Sequence, residues 1–87
     1  MSNTKDKRTV FVQVAGLLED FINGDGSPVA AHNAVDDLDA LDVALISVDD
    51  SEMVRSARIA LVCLEGGFDV SDQTLQKISF DLLAAAR

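Results

Sequence analysis

The sequence contains no tryptophan and no tyrosine, and its only aromatic side chains are four phenylalanines. Proline occurs once and glycine five times, so few positions interrupt a regular backbone. Leucine and alanine, which are frequent here, are strong helix formers. Apolar residues make up 48% of the sequence, which is enough to form a hydrophobic core. A length of 87 residues leaves room for only one domain.

Only one cysteine is present, Cys63, which excludes an intramolecular disulfide and is typical of a reducing compartment. Residues 1–8 are polar, and no apolar segment of the signal-peptide type follows them. We therefore expect a frayed tail at residues 1–8, one helical domain over residues 9–87, and a cytoplasmic protein. The longest apolar run, residues 59–64, is far shorter than the roughly 20 residues that a membrane span requires.

Basic residues are absent between Arg8 and Arg55, whereas acidic residues are frequent in that interval. Fifteen acidic and seven basic residues give the chain a net charge of −8. Such a charge predicts repulsion from nucleic acids and from anionic membranes. We expect the partner to be another protein, and a basic surface on that partner would match the charge.

The first predicted helix starts near Thr9, because Phe11, Val14, Leu18 and Phe21 recur at spacings of three and four residues. Residues 9–14 are rich in β-branched side chains, so a strand is the alternative, but no partner strand follows. Residues 23–26 contain two glycines and end the helix. Ser27 and Pro28 then provide an N-cap and a first helical residue for the next one.

The second predicted helix continues to about residue 48, since an apolar seam with heptad spacing runs through it. Four aspartates lie off this seam and are called the acidic surface below. They are either a solvated face or a docking surface for a basic partner. The seam consists of Ala31, Ala34, Leu38, Leu41, Leu45 and Val48, and the acidic surface of Asp36, Asp37, Asp39 and Asp42.

The third predicted helix is apolar on two sides. The spacing of Asp49 and Glu52 matches a capping box at its start, and Gly66 or Gly67 in a left-handed conformation ends it. Its core stripe is Val54, Ala57, Leu61 and Leu64, and its second apolar side, called the apolar face of the third helix, is Ile59, Val62 and Cys63. Arg58 and Glu65 are left for solvent or for contact with the acidic helix.

The fourth predicted helix follows Ser71 as N-cap. Leu75, Ile78 and Leu82 form its core stripe, with Phe80 and Leu83 beside them. Four helices joined by short loops predict an all-α fold, a small antiparallel bundle. The surplus apolar face of the third helix is most easily buried in a homodimer, and we expect one.

No group of residues predicts a catalytic site, a metal site or a cofactor. His32 has no neighbours in sequence that would make it a ligand or a phosphoacceptor, so we interpret it as structural or surface-exposed. Cys63 lies in the apolar run, where a buried thiol acts as a small hydrophobe. The turn at residues 23–27 matches the middle of a calcium loop, but Phe21 and His32 stand where acidic ligands are needed.

The leading hypothesis is a non-enzymatic, small acidic helical protein that binds another protein as a regulator or inhibitor. One alternative is an acidic mimic of nucleic acid that blocks a DNA-binding, RNA-binding or defence protein. The other alternative is a small metal-binding protein or an accessory subunit of an enzyme. Binding of the mimic to its target is expected to weaken in high salt, because salt screens exposed charges.

Overall fold

Four α-helices make up the computed structural model, which describes residues 6–41 and 47–87. The helices are α1 (Lys7–Ile22), α2 (Pro28–Asp39), α3 (Val48–Glu65) and α4 (Asp72–Ala85). No strand occurs in the described ranges, which confirms the all-α prediction. Residues 9–14 are helical, as predicted, and do not form the alternative strand. Two predicted positions, Asp42 and Leu45, lie outside the described residues.

Every helix begins at a polar side chain that accepts a hydrogen bond from the backbone three residues later. Ser27 and Ser71 are the N-caps of α2 and α4, as predicted. The N-cap of α1 is Asp6, and Thr9 donates its N–H to that carboxylate instead of capping the helix itself. Consequently α1 starts earlier than predicted and includes residues 7 and 8.

The boundary between the second and third helices differs from the prediction. Helix α2 ends at Asp39, well before residue 48, and α3 begins at Val48 after its N-cap, Ser47. The hydroxyl of Ser47 accepts a hydrogen bond of 3.1 Å from the backbone N–H of Asp50, so the cap expected at Asp49 was wrong by two residues. Because it starts a helix and does not continue the α2 seam, Val48 is 79% exposed.

Glycines in the left-handed region end α1 and α3, at Gly24 with φ of 86° and at Gly67 with φ of 83°. After each glycine, the next N–H bonds the carbonyl five residues back, at 2.8 Å following Gly24 and 2.9 Å following Gly67. These bonds define Schellman motifs and confirm the predicted helix ends. The Phe68 ring folds back over Gly66, where an added Cβ would come within 3.2 Å of it.

The core is formed where α1 packs on α4 and α2 packs on α3, with smaller contacts between α1 and α2 and between α3 and α4. The radius of gyration, 12.0 Å, equals the value of about 12 Å expected for a compact chain of this length. None of the four described helices combines the length and apolar character needed to cross a membrane. The largest fully buried side chains are Phe11, Leu18, Leu61, Leu75, Leu82, Val10 and Val14.

Candidate functional site

The described aspartates of the acidic surface face different neighbours: Asp39 contacts α3, whereas Asp37 borders a groove against α1. Asp36, Asp37 and Asp39 are in the last turns of α2, and Asp42 lies outside the described residues. Nε of Arg58 on α3 donates a hydrogen bond of 2.9 Å to Oδ1 of Asp39, and this bond raises the pKa of Arg58. The structure thus brings one of the predicted carboxylates onto a basic residue of the same chain.

His32 links the start of α2 to the end of α3. Its Nδ1 lies 2.7 Å from Oε1 of Glu65, and its Nε2 lies 3.7 Å from Oδ2 of Asp36. The hydrogen bond to Glu65, followed by the charges of Glu65 and Asp36, raises the pKa of His32 above its ordinary value of 6.5. Since both ring nitrogens face carboxylates and the side chain is 58% exposed, the imidazole acts as a surface clasp between the two helices.

The apolar face of α3 is open in the single chain. Ile59 is 57% exposed and Val62 is 44% exposed, while Cys63 is half-buried. The opposite side of α3 is buried against the rest of the bundle through Ala57 and Leu61. The structure therefore places the three predicted residues together on one side of the helix, away from the core.

A second apolar surface was not identified from the sequence. Phe80 is 68% exposed and Leu83 is 37% exposed, although the sequence placed both beside the packed stripe of the fourth helix. Their spacing of three residues, offset from the Leu75, Ile78 and Leu82 stripe, was the available signal. They border a shallow groove of about 210 Å³, called the α1–α4 groove, lined by Glu19, Ile22, Gln76, Ser79, Phe80 and Leu83.

Polar groups inside the bundle are satisfied. Among residues 6–41 and 47–87, no buried side-chain nitrogen or oxygen lacks a hydrogen-bond partner. Within the same ranges, no three histidine, cysteine or acidic side chains lie close enough to hold a metal ion. Large apolar side chains are exposed on all four described helices, including Val12 on α1 and Val29 on α2, and those of α3 and α4 occur as neighbours along one side of their helix.

Comparison with known proteins gives no significant match to any protein-family model, curated protein or solved structure. Function is therefore inferred from three surfaces of the molecule itself: the acidic surface, the apolar face of α3 and the α1–α4 groove.

Proposed function

We propose that this chain is a non-enzymatic protein-binding module that regulates or inhibits its partner. The observation that carries the proposal is the exposure of large apolar side chains on the outward sides of two helices: Ile59 at 57%, Val62 at 44% and Phe80 at 68%. Apolar surface rimmed by polar residues is typical of interaction sites. A partner that covers it gains about 25 cal/mol for each Å² of apolar surface removed from water.

The charge of the molecule indicates the chemistry of that partner. The chain has a net charge of −8, and Glu19 lines the same α1–α4 groove as Phe80. A helical segment with apolar side chains on one side and basic side chains beside them fits both properties. Its apolar side chains would enter the groove, and its basic side chains would face Glu19 and the acidic flanks.

An acidic mimic of nucleic acid is the second candidate, favoured by the net charge and by the clustering of Asp36, Asp37 and Asp39. A mimic requires carboxylates that are free to meet the basic groups of its target. Asp39 is bonded to Arg58, and Asp36 lies beside His32, so part of this negative charge is offset within the chain. The mimic therefore ranks below the module that binds through apolar surface.

The bundle is further proposed to be antiparallel and dimeric, in a reducing, cytoplasmic setting. His32 near the start of α2 contacts Glu65 at the end of α3, whereas Asp39 at the end of α2 contacts Arg58 further up α3. These two contacts support opposite directions for α2 and α3. The open apolar face of α3 supports the dimer, and the single cysteine supports the reducing setting.

The test is capture of a partner from a nuclease-treated lysate, followed by binding measurements with the purified captured protein. Wild type is compared with Phe80→Ser/Leu83→Ser and with a matched control, Val29→Ser, whose side chain is 70% exposed outside the α1–α4 groove. We expect the double variant to bind at least about tenfold more weakly, because buried aromatic anchors dominate interface energies. The control should bind like wild type.

A third variant separates the mimic from the apolar module. Changing Asp36, Asp37 and Asp39 to asparagine removes the charge of the described acidic surface and leaves the α1–α4 groove intact. Loss of binding only in this variant, together with release of the partner at about 0.5 M salt, would favour the mimic. Full binding by both this variant and the groove variant would contradict the mimic and would exclude the α1–α4 groove as the binding surface.

A further inference from the structure

Helix α3 carries a second heptad seam that points away from the core. Its members are exposed and follow one another at spacings of four, three, four and three residues. This spacing is that of the a and d positions through which helices pair. The buried residues Ala57, Ala60 and Leu61 occupy the opposite side of the helix. The outward seam consists of Val48, Glu52, Arg55, Ile59 and Val62.

We propose that Ile59 and Val62 of this outward seam pack on the same two residues of a second copy of the chain, in antiparallel orientation, about a twofold axis between them. In this register Ile59 of each copy packs on Val62 of the other, which gives two adjacent apolar layers. A twofold axis makes the contact self-complementary and closed, so it ends at a dimer. The inference rests on the self-association proposed above and adds the register of the pairing.

The residues that flank the two apolar layers are complementary in this register. On the side nearer α2, Arg58 of one copy lies beside Glu65 of the second copy, and symmetry repeats the pair. On the other side, Ser56 lies beside Cys63 of the second copy, and both side chains are small enough to allow close approach. Opposite charges at the edge of an apolar contact fix its register and orientation.

The distribution of charge also supports a second copy of the chain as the partner that covers the outward seam of α3. A net charge of −8 on each chain opposes contact between two copies over most of the surface. Residues 55–65 are different, because they contain Arg55 and Arg58 but only one acid, Glu65. The α1–α4 groove has the reverse character, since the charged residue among its described lining residues is Glu19.

Sliding one helix by one heptad would place Ile59 opposite Arg55 and Val62 opposite Glu52 of the second copy, so neither apolar side chain would keep an apolar partner. A shift of the twofold axis by one heptad, which slides the helices by two heptads, is the other competing register. It brings Glu52 opposite Arg55 and Ile59 opposite Val48 of the second copy. In that register Val62 would lie opposite residue 45, which precedes the start of α3 at Val48. The proposed register buries both Ile59 and Val62 against apolar partners and is therefore favoured by the hydrophobic term.

Charge reversal at the two flanking positions tests the register. Arg58→Glu places two acids together at both symmetric sites, and Glu65→Arg places two bases together. Each variant alone should dimerise roughly tenfold more weakly than wild type at low salt. An equimolar mixture of the two variants should regain wild-type affinity, because every flanking pair in the mixed dimer is again of opposite charge.

Mixing the two variants separates contacts between copies from contacts within one copy. Arg58→Glu loses the pair with Asp39 and Glu65→Arg loses the pair with His32, and mixing restores neither of these contacts within one copy. Recovery of affinity in the mixture therefore reports only on the contact between copies. Sedimentation equilibrium measures the affinities, and circular dichroism checks that both variants remain helical. If either reversal unfolds the chain, Arg58→Gln gives a smaller loss in the same direction.

The outcomes distinguish the register from the self-association on which it rests. A dimeric wild type, weaker single variants and a restored mixture would support the proposed register. A dimeric wild type whose single variants dimerise equally well, or whose mixture is no tighter than its components, would overturn the register alone. A wild type that stays monomeric at about 100 μM would overturn both, since dimers of regulatory interest form well below that concentration.

Discussion

The two helix pairs of this bundle are held together by different contacts. Helices α1 and α4 bury large side chains against the core, including Leu18, Leu75 and Leu82, each at most 2% exposed. A buried hydroxyl adds a hydrogen bond between them, from Oγ of Ser79 to the carbonyl of Ala15 at 3.3 Å. Both features are shielded from water, so we expect this pair to supply much of the stability of the fold.

Helices α2 and α3 bury more alanines than α1 and α4, beside the larger Val35, Leu38 and Leu61, and they are also linked by charges at the surface. Their buried residues include Ala31, Ala34, Ala57 and Ala60, which remove little apolar area from water per residue. The two ion pairs that link them, at His32 and Arg58, are about half exposed. Exposed ion pairs set orientation more than they stabilise. Helix α3, which carries the open apolar face, therefore belongs to the half of the bundle that buries fewer large side chains.

The largest expected effect is on the α1–α4 side. Leu82→Ala removes a side chain that is fully buried and should lower the free energy of unfolding by about 2–5 kcal/mol, through lost burial and a cavity. The neighbouring Leu83→Ala is the control, since Leu83 is 37% exposed and should cost far less. Urea denaturation followed by circular dichroism measures both. Equal losses for the two variants would show that α4 does not pack as described.

A smaller effect is expected from the buried hydrogen bond of the same pair. Ser79→Ala removes the hydroxyl that donates to the carbonyl of Ala15 and should lower the free energy of unfolding by about 1 kcal/mol. Ser51→Ala is the matched control, because Ser51 is exposed on α3 and lies outside the residues assigned to the proposed dimer contact. If Ser79→Ala is as stable as wild type in the same denaturation experiment, this hydrogen bond adds nothing to the α1–α4 contact.

The smallest effect is expected at the α2–α3 clasp, and it depends on pH. Glu65 and Asp36 raise the pKa of His32 in the folded state, so the protonated form is favoured by folding. The resulting stabilisation is present in full below about pH 6.5, the unfolded value, and is lost as pH rises through the higher folded pKa. The urea midpoint should therefore fall slightly between about pH 5.5 and about pH 8.

Two variants isolate the contribution of the clasp. His32→Asn removes the titrating group, and Glu65→Gln removes the main cause of its raised pKa. In both variants the decrease of the urea midpoint over this pH range should become smaller than in wild type. A wild-type profile that rises with pH, or one that His32→Asn leaves unchanged, would contradict a protonated clasp between α2 and α3.

The sequence was sufficient for the helices whose ends carry strong local signals. Ser27 with Pro28, Ser71, and the glycines at 24 and 67 act through their own backbone preferences, so they could be identified without tertiary information. The core stripes of α1 and α4 followed from spacing alone, because apolar side chains three and four residues apart share one side of a helix.

The end of α2 could not be predicted in the same way. Neither glycine nor proline separates Asp39 from Ser47, and the apolar spacing continues through this interval. The caps at Asp6 and Ser47 were missed for a related reason, since acceptable capping residues also stood two or three positions later. Short polar side chains of this kind compete as caps, and packing of the first turn decides between them.

One of the two exposed apolar surfaces could be predicted from the sequence, and the other could not. Exposure of Ile59 and Val62 was predictable, because one helix cannot direct two opposite apolar sides into the same core. Exposure of Phe80 was not predictable, since its position beside the α4 stripe is equally compatible with burial at the edge of the core. The sequence predicted that Arg58 faces solvent or the acidic helix, but it did not identify Asp39 as the partner. Which aspartate Arg58 meets depends on the register between α2 and α3.

The central claim is that the outward side of α3 is a binding surface for a second copy, and sedimentation equilibrium of Val62→Asp tests it most directly. Val12→Asp on α1 is the matched control, because Val12 is 48% exposed and Val62 is 44% exposed. We predict that wild type and Val12→Asp are dimers and that Val62→Asp is a helical monomer. A Val62→Asp variant that is folded and still dimeric would contradict the claim.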